Sequence, residues 1–159
     1  MAKEHHYKTQ VTWTGNTGQG TANYRAYERS YNIEMEGKPS ILGSSDAAFR
    51  GDVAKYSPED LLVASLSACH LLWYLHLCAD ASIVITQYCD HATGTMQETA
   101  EGGGCFTEVV LKPVVTITSD SNRDLAKQLH EQAHHSCFIA NSMNFPVRCE
   151  PVVHIKETV

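Results

Sequence analysis

The sequence has no cluster of basic residues, and its 159 residues carry a formal net charge of −6. Without a basic patch there is no electrostatic basis for attraction to a nucleic-acid backbone, so the composition disfavours a nucleic-acid-binding function. The sequence also contains no internal repeat and no low-complexity linker. These absences favour a single domain that covers residues 1–159.

A secretion signal is also lacking. The first ten residues, MAKEHHYKTQ, are polar, whereas a signal peptide contains an apolar segment. The longest apolar segment, residues 61–79, is interrupted by histidines and serines, so a buried helix explains it better than a membrane span. We therefore predict a cytoplasmic protein that does not associate with membranes.

No Cys-X-X-Cys motif is present, although the chain contains six cysteines. Their spacings are wide and irregular, which fits neither a disulfide framework nor a zinc knuckle. In a cytoplasmic protein these thiols are reduced by default. The sequence implies no cofactor and no permanent metal.

The N-terminal half is predicted to contain strands followed by one long helix. Alternating and β-prone segments indicate strands within residues 6–15 and 21–35, and residues 36–55 read as a long loop. The helix begins where Ser57 supplies the N-cap and Pro58 occupies the first helical position, and it continues to about Ala79. Because this helix is apolar on nearly every face, we expect it to be buried on all sides.

The C-terminal half is predicted to contain strands, a helix pair and a last strand. Two or three strands lie within residues 81–119, and an amphipathic helix capped near Asp120 or Ser121 runs to residue 135. A short helix after Ser136 and a strand over residues 147–157 follow. This order is that of an α+β fold, without the regular alternation of a doubly wound sheet.

Two of the six cysteines have a sequence context that allows reactivity. Cys137 follows Ser136, a predicted N-cap, and a thiol at a helix N-terminus is stabilised as a thiolate by the helix dipole. His134 and His135 lie nearby, although a small buried side chain explains Cys137 equally well. Cys69 lies within the apolar helix, where a thiol is inert unless a cation reaches it.

The helix itself does not supply that cation. Adjacent helical residues point about 100° apart, so His70 does not face the same site as Cys69. The remaining candidates are Arg50, in the long loop, and Arg25, in the second predicted strand.

The segment SPEDLLVASLSACH, residues 57–70, resembles the signature of the OsmC/Ohr family, the osmotically inducible and organic hydroperoxide resistance proteins. That signature has Pro-Glu at a helix start and a cysteine ten residues after the glutamate, which Pro58, Glu59 and Cys69 match. Cys137 is similar in placement to the second family cysteine. The resemblance implies an OsmC-like fold, with antiparallel sheets wrapped around the two long central helices of an intertwined homodimer.

The resemblance also implies thiol-dependent reduction of organic hydroperoxides. Cys69 would be the peroxidatic thiol, Cys137 the resolving thiol, and Glu59 the carboxylate that positions an arginine. Arg50, in the sequence FRGD, is our candidate for that arginine. An external dithiol, which the resemblance suggests to be a lipoylated protein, would reduce the resulting disulfide.

The spacing of Glu59 and Cys69 places them about 15 Å apart along one helix, so they cannot share a site within one chain. An antiparallel partner helix would bring its own Glu59 beside Cys69. We therefore predict an active site that draws on both chains of the dimer.

Two departures from the family pattern keep other functions open. Arg50 lies one residue closer to Pro58 than in the best-known peroxidases, and AHHS precedes Cys137 in place of a glycine followed by Cys-Pro. One alternative is a noncatalytic OsmC-like dimer that binds a small apolar ligand. Another is a metal site formed by His134, His135 and Cys137, with Cys69 or His70 as a further ligand.

Overall fold

The computed structural model describes residues 3–156, which form nine β-strands and two α-helices. The chain divides into two compact units, and the boundary falls between Leu62 and Val63.

The first unit contains a three-stranded antiparallel sheet in the order β1-β2-β3. Its strands are β1 (Gln10–Trp13), β2 (Tyr31–Glu34) and β3 (Ile41–Gly43). The predicted strand over residues 21–35 is wrong in its first part, which forms turns. There the Asn23 side chain accepts a hydrogen bond from the Arg25 backbone, and such local bonds compete with strand pairing.

The predicted loop over residues 36–55 contains two short regular elements. One is strand β3, and the other is a 3₁₀ turn over Ala47–Phe49. The Asp46 side chain caps this turn by accepting a hydrogen bond from the Ala48 backbone at 2.7 Å.

Helix α1 spans Pro58–Asp80, as the sequence predicts. Its start is a reciprocal capping box. The Ser57 hydroxyl accepts a hydrogen bond from the Asp60 backbone N–H at 3.1 Å, and the Asp60 carboxylate accepts one from the Ser57 backbone N–H at 2.9 Å. By length and composition alone α1 is apolar enough to cross a membrane, a test that core helices of soluble proteins also pass.

The prediction that α1 is buried on all sides is wrong for the described chain, because only one stripe of the helix is buried. The buried residues recur every fourth position: Leu66, His70, Tyr74 and Cys78. A second stripe of small and apolar residues is exposed, and we call it the α1 outer face: Ala64, Ala68, Leu72, Leu75 and Ala79. Leu72 is 67% exposed, which is unusual for a leucine on a long apolar helix.

The second unit contains two three-stranded sheets. One has the order β4-β7-β9, formed by Ile85–Asp90, Pro113–Ile117 and Val152–Ile155. The other has the order β5-β6-β8, formed by Thr93–Glu98, Gly104–Leu111 and Val147–Cys149. The two or three strands predicted between residues 81 and 119 are thus four, and the predicted last strand is two, with Pro151 at the break.

The sheets of the second unit are only partly antiparallel. The pairs β4–β7 and β5–β6 are antiparallel, whereas β7–β9 and β6–β8 are parallel. A helix separates β6 and β7 from β8 and β9 along the chain. Such a helical crossover allows the later strands to pair in parallel with the earlier ones.

That helix is α2, which spans Arg123–Ser136. Its N-cap is Asn122, not Asp120 or Ser121 as predicted, and the Asn122 side chain accepts a hydrogen bond from the Leu125 backbone at 3.0 Å. The buried face of α2 packs against the buried stripe of α1 and against β9. The resulting core contains Tyr74, Cys78, Ile83, Val115, Ile117, Ala126, Leu129, Ala133 and Val153.

Candidate active site

Two thiols from different elements meet in the second unit. Cys69 lies in the middle of α1, and Cys137 directly follows the last residue of α2. Their side chains are close enough for Cys69 to raise the pKa of the Cys137 thiol. The fold thus brings together the two cysteines to which the family resemblance assigns the catalytic roles.

The local structure at Cys137 differs from the prediction. Ser136 is the last residue of α2 rather than the N-cap of a new helix, and Cys137 is the C-cap of α2. The following turn is a 3₁₀ helix of only three residues, Ala140–Ser142. The Cys137 sulfur itself accepts a hydrogen bond from the Ala140 backbone N–H at 3.4 Å. Backbone N–H groups, rather than the helix dipole that the sequence suggested, therefore favour the thiolate at this position.

Cys137 is fully buried, and this decides its protonation state. Burial and, to a smaller extent, Cys69 raise the pKa of the Cys137 thiol to about 11, against the opposing effect of the Ala140 and Ile139 N–H groups. At neutral pH Cys137 therefore keeps its proton. Cys69 is the more accessible of the two thiols, since its side chain is only partly buried.

Aromatic side chains lie beside the two cysteines. Trp73 follows Cys69 by one helical turn, and its ring meets that of Phe138 edge to face with centroids 5.8 Å apart. Phe138 is 71% exposed, so the pair forms an accessible apolar surface. Phe145 packs instead on Phe106, with ring centroids 5.6 Å apart.

The two candidate arginines lie in the first unit. Arg50 follows the 3₁₀ turn in a left-handed conformation, with φ of 65°, and its side chain is exposed. Arg50 and Arg25 line the same cleft of about 430 Å³. Within residues 3–62 neither guanidinium forms an ion pair, whereas Arg29 in the same cleft donates to the carbonyls of Tyr24 and Tyr27.

Glu59 lies in the first turn of α1 and is partly buried. Its charge acts on Tyr31: burial raises the pKa of the Tyr31 hydroxyl, and the nearby carboxylates of Glu59 and Asp60 raise it further. The role of Glu59 toward an arginine stays a prediction.

The metal site suggested by His134, His135 and Cys137 is wrong. In the part of the chain that the structure describes, the only group of three candidate ligands that converge is His70, His130 and Cys149. Sequence reasoning missed His130, although a histidine on the apolar face of an amphipathic helix was the available signal. No sequence signal marks Cys149.

The α+β fold places a partly buried thiol on a long helix close to a buried thiol at the end of a second helix. The family model described as "OsmC-like protein" matches residues 50–151. The chain belongs to the OsmC-like family, and the fold expected from residues 57–70 is confirmed.

Solved structures agree with this assignment. An OsmC-like protein of unknown function from Vibrio cholerae is 30% identical, with a TM-score of 0.85 over 94% of this chain and 100% of that chain. An organic hydroperoxide resistance protein from Elizabethkingia anophelis is 19% identical, with a TM-score of 0.67 over 97% of this chain and 100% of its own. One from Legionella pneumophila is 19% identical, with a TM-score of 0.66 over 95% and 99%. Comparison with curated proteins gives no match.

Proposed function

We propose that the protein is a thiol peroxidase that reduces organic hydroperoxides to alcohols, with Cys69 as the attacking thiol and Cys137 as the resolving thiol. The observation that carries this proposal is the proximity of the two thiols. The fold shared with organic hydroperoxide resistance proteins supports the same reaction class.

The proposed reaction has three steps. The Cys69 thiolate attacks the outer peroxide oxygen, the O–O bond breaks, and the alkoxide leaves as an alcohol after taking a proton. The Cys137 thiol then attacks the sulfur of the Cys69 sulfenic acid, which forms a disulfide and releases water. An external dithiol reduces this disulfide by thiol–disulfide exchange and becomes a disulfide itself.

The aromatic pair Trp73 and Phe138 favours organic peroxides over hydrogen peroxide. An alkyl or aryl group gains free energy by leaving water for this apolar surface, and hydrogen peroxide has no such group. We therefore expect the preference to be expressed as a higher rate constant for bulky hydroperoxides.

A cation beside Cys69 completes the site in this proposal. Arg50 is the first candidate and Arg25 the second, with Glu59 as the carboxylate that orients the guanidinium. A guanidinium stabilises a thiolate and the leaving alkoxide through charge-assisted hydrogen bonds. Arg50→Ala should slow peroxide reduction strongly if Arg50 supplies this charge, and Arg50→Lys should restore only part of the rate because lysine lacks the planar fork.

The proposed working unit is a homodimer. OsmC-family proteins are typically dimers, and the α1 outer face is an apolar surface that the single chain leaves exposed. A cytoplasmic location, where dithiol reductants are available, is part of the same proposal.

The decisive experiment counts thiols. Reduced protein is treated with one equivalent of cumene hydroperoxide, and free thiols are titrated under denaturing conditions. We expect two thiols per chain to disappear, with one equivalent of alcohol formed. Cys69→Ser should abolish both effects, and Cys137→Ser should trap Cys69 as a sulfenic acid that a dimedone probe labels.

Cys105→Ser is the matched control, because Cys105 is exposed and lies outside the thiol pair. This variant should lose two thiols through Cys69 and Cys137 and form one equivalent of alcohol, as the unmodified protein does. If cumene hydroperoxide consumes no thiol and is recovered unreacted, the peroxidase proposal is wrong. Binding of the intact compound to the protein would then favour the noncatalytic alternative.

A further inference from the structure

A second cluster of reactive side chains lies in the second unit, apart from the cysteine pair. His70 is on the buried stripe of α1, His130 is on the buried face of α2, and Cys149 ends strand β8. The His70 Nε2 and His130 Nδ1 atoms are 3.0 Å apart, and the Cys149 sulfur is 3.5 Å from His70 Nε2. Three elements distant in sequence thus converge on one point.

The spacing of these atoms is close to that of ligands around one metal ion. A tetrahedral zinc ion, with bonds of about 2.05 Å to nitrogen and about 2.3 Å to sulfur, holds two nitrogens about 3.3 Å apart and a nitrogen and a sulfur about 3.6 Å apart. One candidate ligand atom from each of the three residues lies within 4.8 Å of the other two. The His70–His130 and His70–Cys149 distances differ from these values by a few tenths of an ångström.

Both histidine rings of this cluster are buried, since His70 and His130 are 1% and 2% exposed. The converging atoms, His70 Nε2 and His130 Nδ1, share a hydrogen bond, and a metal ion bound to both would replace it. Among the described residues the other nitrogen of each ring, His70 Nδ1 and His130 Nε2, has no hydrogen-bond partner. A buried polar atom without a partner is uncommon in native proteins, so hydrogen bonding leaves each ring only partly satisfied.

Two carboxylates act on the cluster. The charge of Asp90 acts on His70 and on Cys149, and the charge of Glu150 acts on Cys149. These negative charges would partly offset the cost of burying a cation among the neutral rings.

The cluster can also be reached from outside. A cavity of about 630 Å³ lies between α2 and residues 147–151, and both His130 and Cys149 line it. His134 and Glu131 line the same cavity. A metal site that keeps one position open needs such an entry path, and three protein ligands with an open fourth position are typical of reactive zinc sites.

We propose that His70, His130 and Cys149 bind one zinc-type divalent cation per chain, with the fourth coordination position facing the cavity. The imidazole nitrogens His70 Nε2 and His130 Nδ1 and the Cys149 thiolate are the ligands. This site is separate from Cys69 and Cys137, and it does not depend on the peroxidase proposal.

Cobalt(II) is the probe, because a thiolate bound to Co²⁺ gives a charge-transfer absorption band that histidine and carboxylate ligands do not give. Metal-free reduced protein is titrated with Co²⁺ and then with Zn²⁺. We expect the band to saturate at one Co²⁺ per chain and to disappear when Zn²⁺ displaces it. Cys149→Ser should abolish the band, and His130→Asn should weaken Co²⁺ binding by at least about tenfold.

Two matched controls separate this site from other thiols. Cys89→Ser removes an exposed cysteine that also lies near a histidine, with 3.6 Å between the Cys89 sulfur and His91 Nε2. Cys137→Ser removes the buried thiol of the candidate active site. Both variants should keep the band, and loss of the band in either of them would overturn the proposal.

A measurement on the unmodified protein covers the case in which Cys149→Ser does not fold. Zn²⁺ at saturation should slow iodoacetamide alkylation of Cys149 at least about tenfold, measured by mass spectrometry, and leave Cys89 and Cys105 unchanged. Mg²⁺ should have no effect, because it prefers oxygen ligands. Equal alkylation of Cys149 with and without Zn²⁺, together with no Co²⁺ band, would overturn the proposal.

Discussion

Six cysteines in one chain have different chemistry because the fold places them in different surroundings. Cys89 and Cys105 are exposed, Cys78 and Cys137 are buried, and Cys69 and Cys149 lie between these extremes. The sequence context of Cys137 suggested an activated thiolate at a helix start. Its burial instead keeps the thiol protonated at neutral pH.

This difference predicts an order of alkylation. In the reduced protein at pH 7, iodoacetamide should modify Cys89 and Cys105 first and Cys137 at least about tenfold more slowly, because Cys137 is buried and its pKa is raised to about 11. Timed mass spectrometry of tryptic peptides measures the rates. Modification of Cys137 as fast as that of Cys105 would contradict the buried, protonated state.

The same pKa has a consequence for stability. Since the Cys137 pKa is higher in the folded chain than in the unfolded chain, its contribution to the free energy of unfolding is complete below about pH 9. It is lost as the pH rises toward about 11. Alkylation of Cys137 should accelerate over the same range, because the thiolate is the nucleophile.

At the scale of elements, α1 organises the molecule. Its start is fixed by a capping box, and its buried stripe carries Leu66, His70, Tyr74 and Cys78 into the core. The Tyr74 hydroxyl donates to the Ala126 carbonyl of α2 at 3.0 Å, and the Tyr74 ring stacks on His130 with centroids 3.7 Å apart. The position of α2, and with it that of Cys137, is tied to α1 by these contacts.

The capping box gives a test of how α1 begins. Ser57→Ala should lower the free energy of unfolding by about 1 kcal/mol, because the Asp60 backbone N–H loses its acceptor. Urea unfolding at fixed protein concentration measures the change. The double variant Ser57→Ala with Asp60→Ala should lose less than the sum of the two single changes, since both residues belong to one reciprocal motif.

Glu101→Ala, in the turn after β5, serves as the control and should change stability by less than about 0.5 kcal/mol. Strictly additive effects of Ser57→Ala and Asp60→Ala would show that the two side chains act independently.

At the scale of the whole molecule, the α1 outer face is an apolar surface that the single chain leaves exposed. Most of the apolar surface of α1 should be buried, yet Leu72 and Leu75 are 67% and 37% exposed. The small residues Ala64 and Ala68 on the same face allow another helix to approach closely. OsmC-family proteins are typically dimers, and we propose that a second copy of this chain covers this face.

A charge on this face should therefore disrupt the dimer. Leu72→Glu would place an unpaired carboxylate in an apolar interface, and we expect the dissociation constant to rise by at least about a hundredfold, from the cost of burying a charge. Sedimentation velocity over a range of concentrations measures the change.

Val84→Glu is the control, since Val84 is 51% exposed and lies outside α1. It should leave the mass unchanged. A Leu72→Glu variant with the same mass and affinity as the unmodified protein would show that the α1 outer face is not the interface.

The sequence determined the features that depend on neighbouring residues. The bounds of α1 follow from Ser57, Pro58 and the apolar run after them, and the spacing of Pro58, Glu59 and Cys69 indicated the family. Local propensity did not predict strand β3, because a short strand forms only where a neighbouring strand pairs with it. It also did not distinguish Asn122 from Asp120 and Ser121, since all three residue types are good N-caps.

Only the tertiary structure decided which distant groups meet. It placed Cys137 against Cys69, and it brought His130 and Cys149 to His70, because packing of α2 and β8 against α1 is set by the whole core rather than by any local pattern. It also reversed the inference on the protonation of Cys137, since burial depends on atoms far away in sequence. Short-range interactions can be deduced from neighbouring residues in the sequence, whereas desolvation and the convergence of distant side chains arise only when the chain is folded.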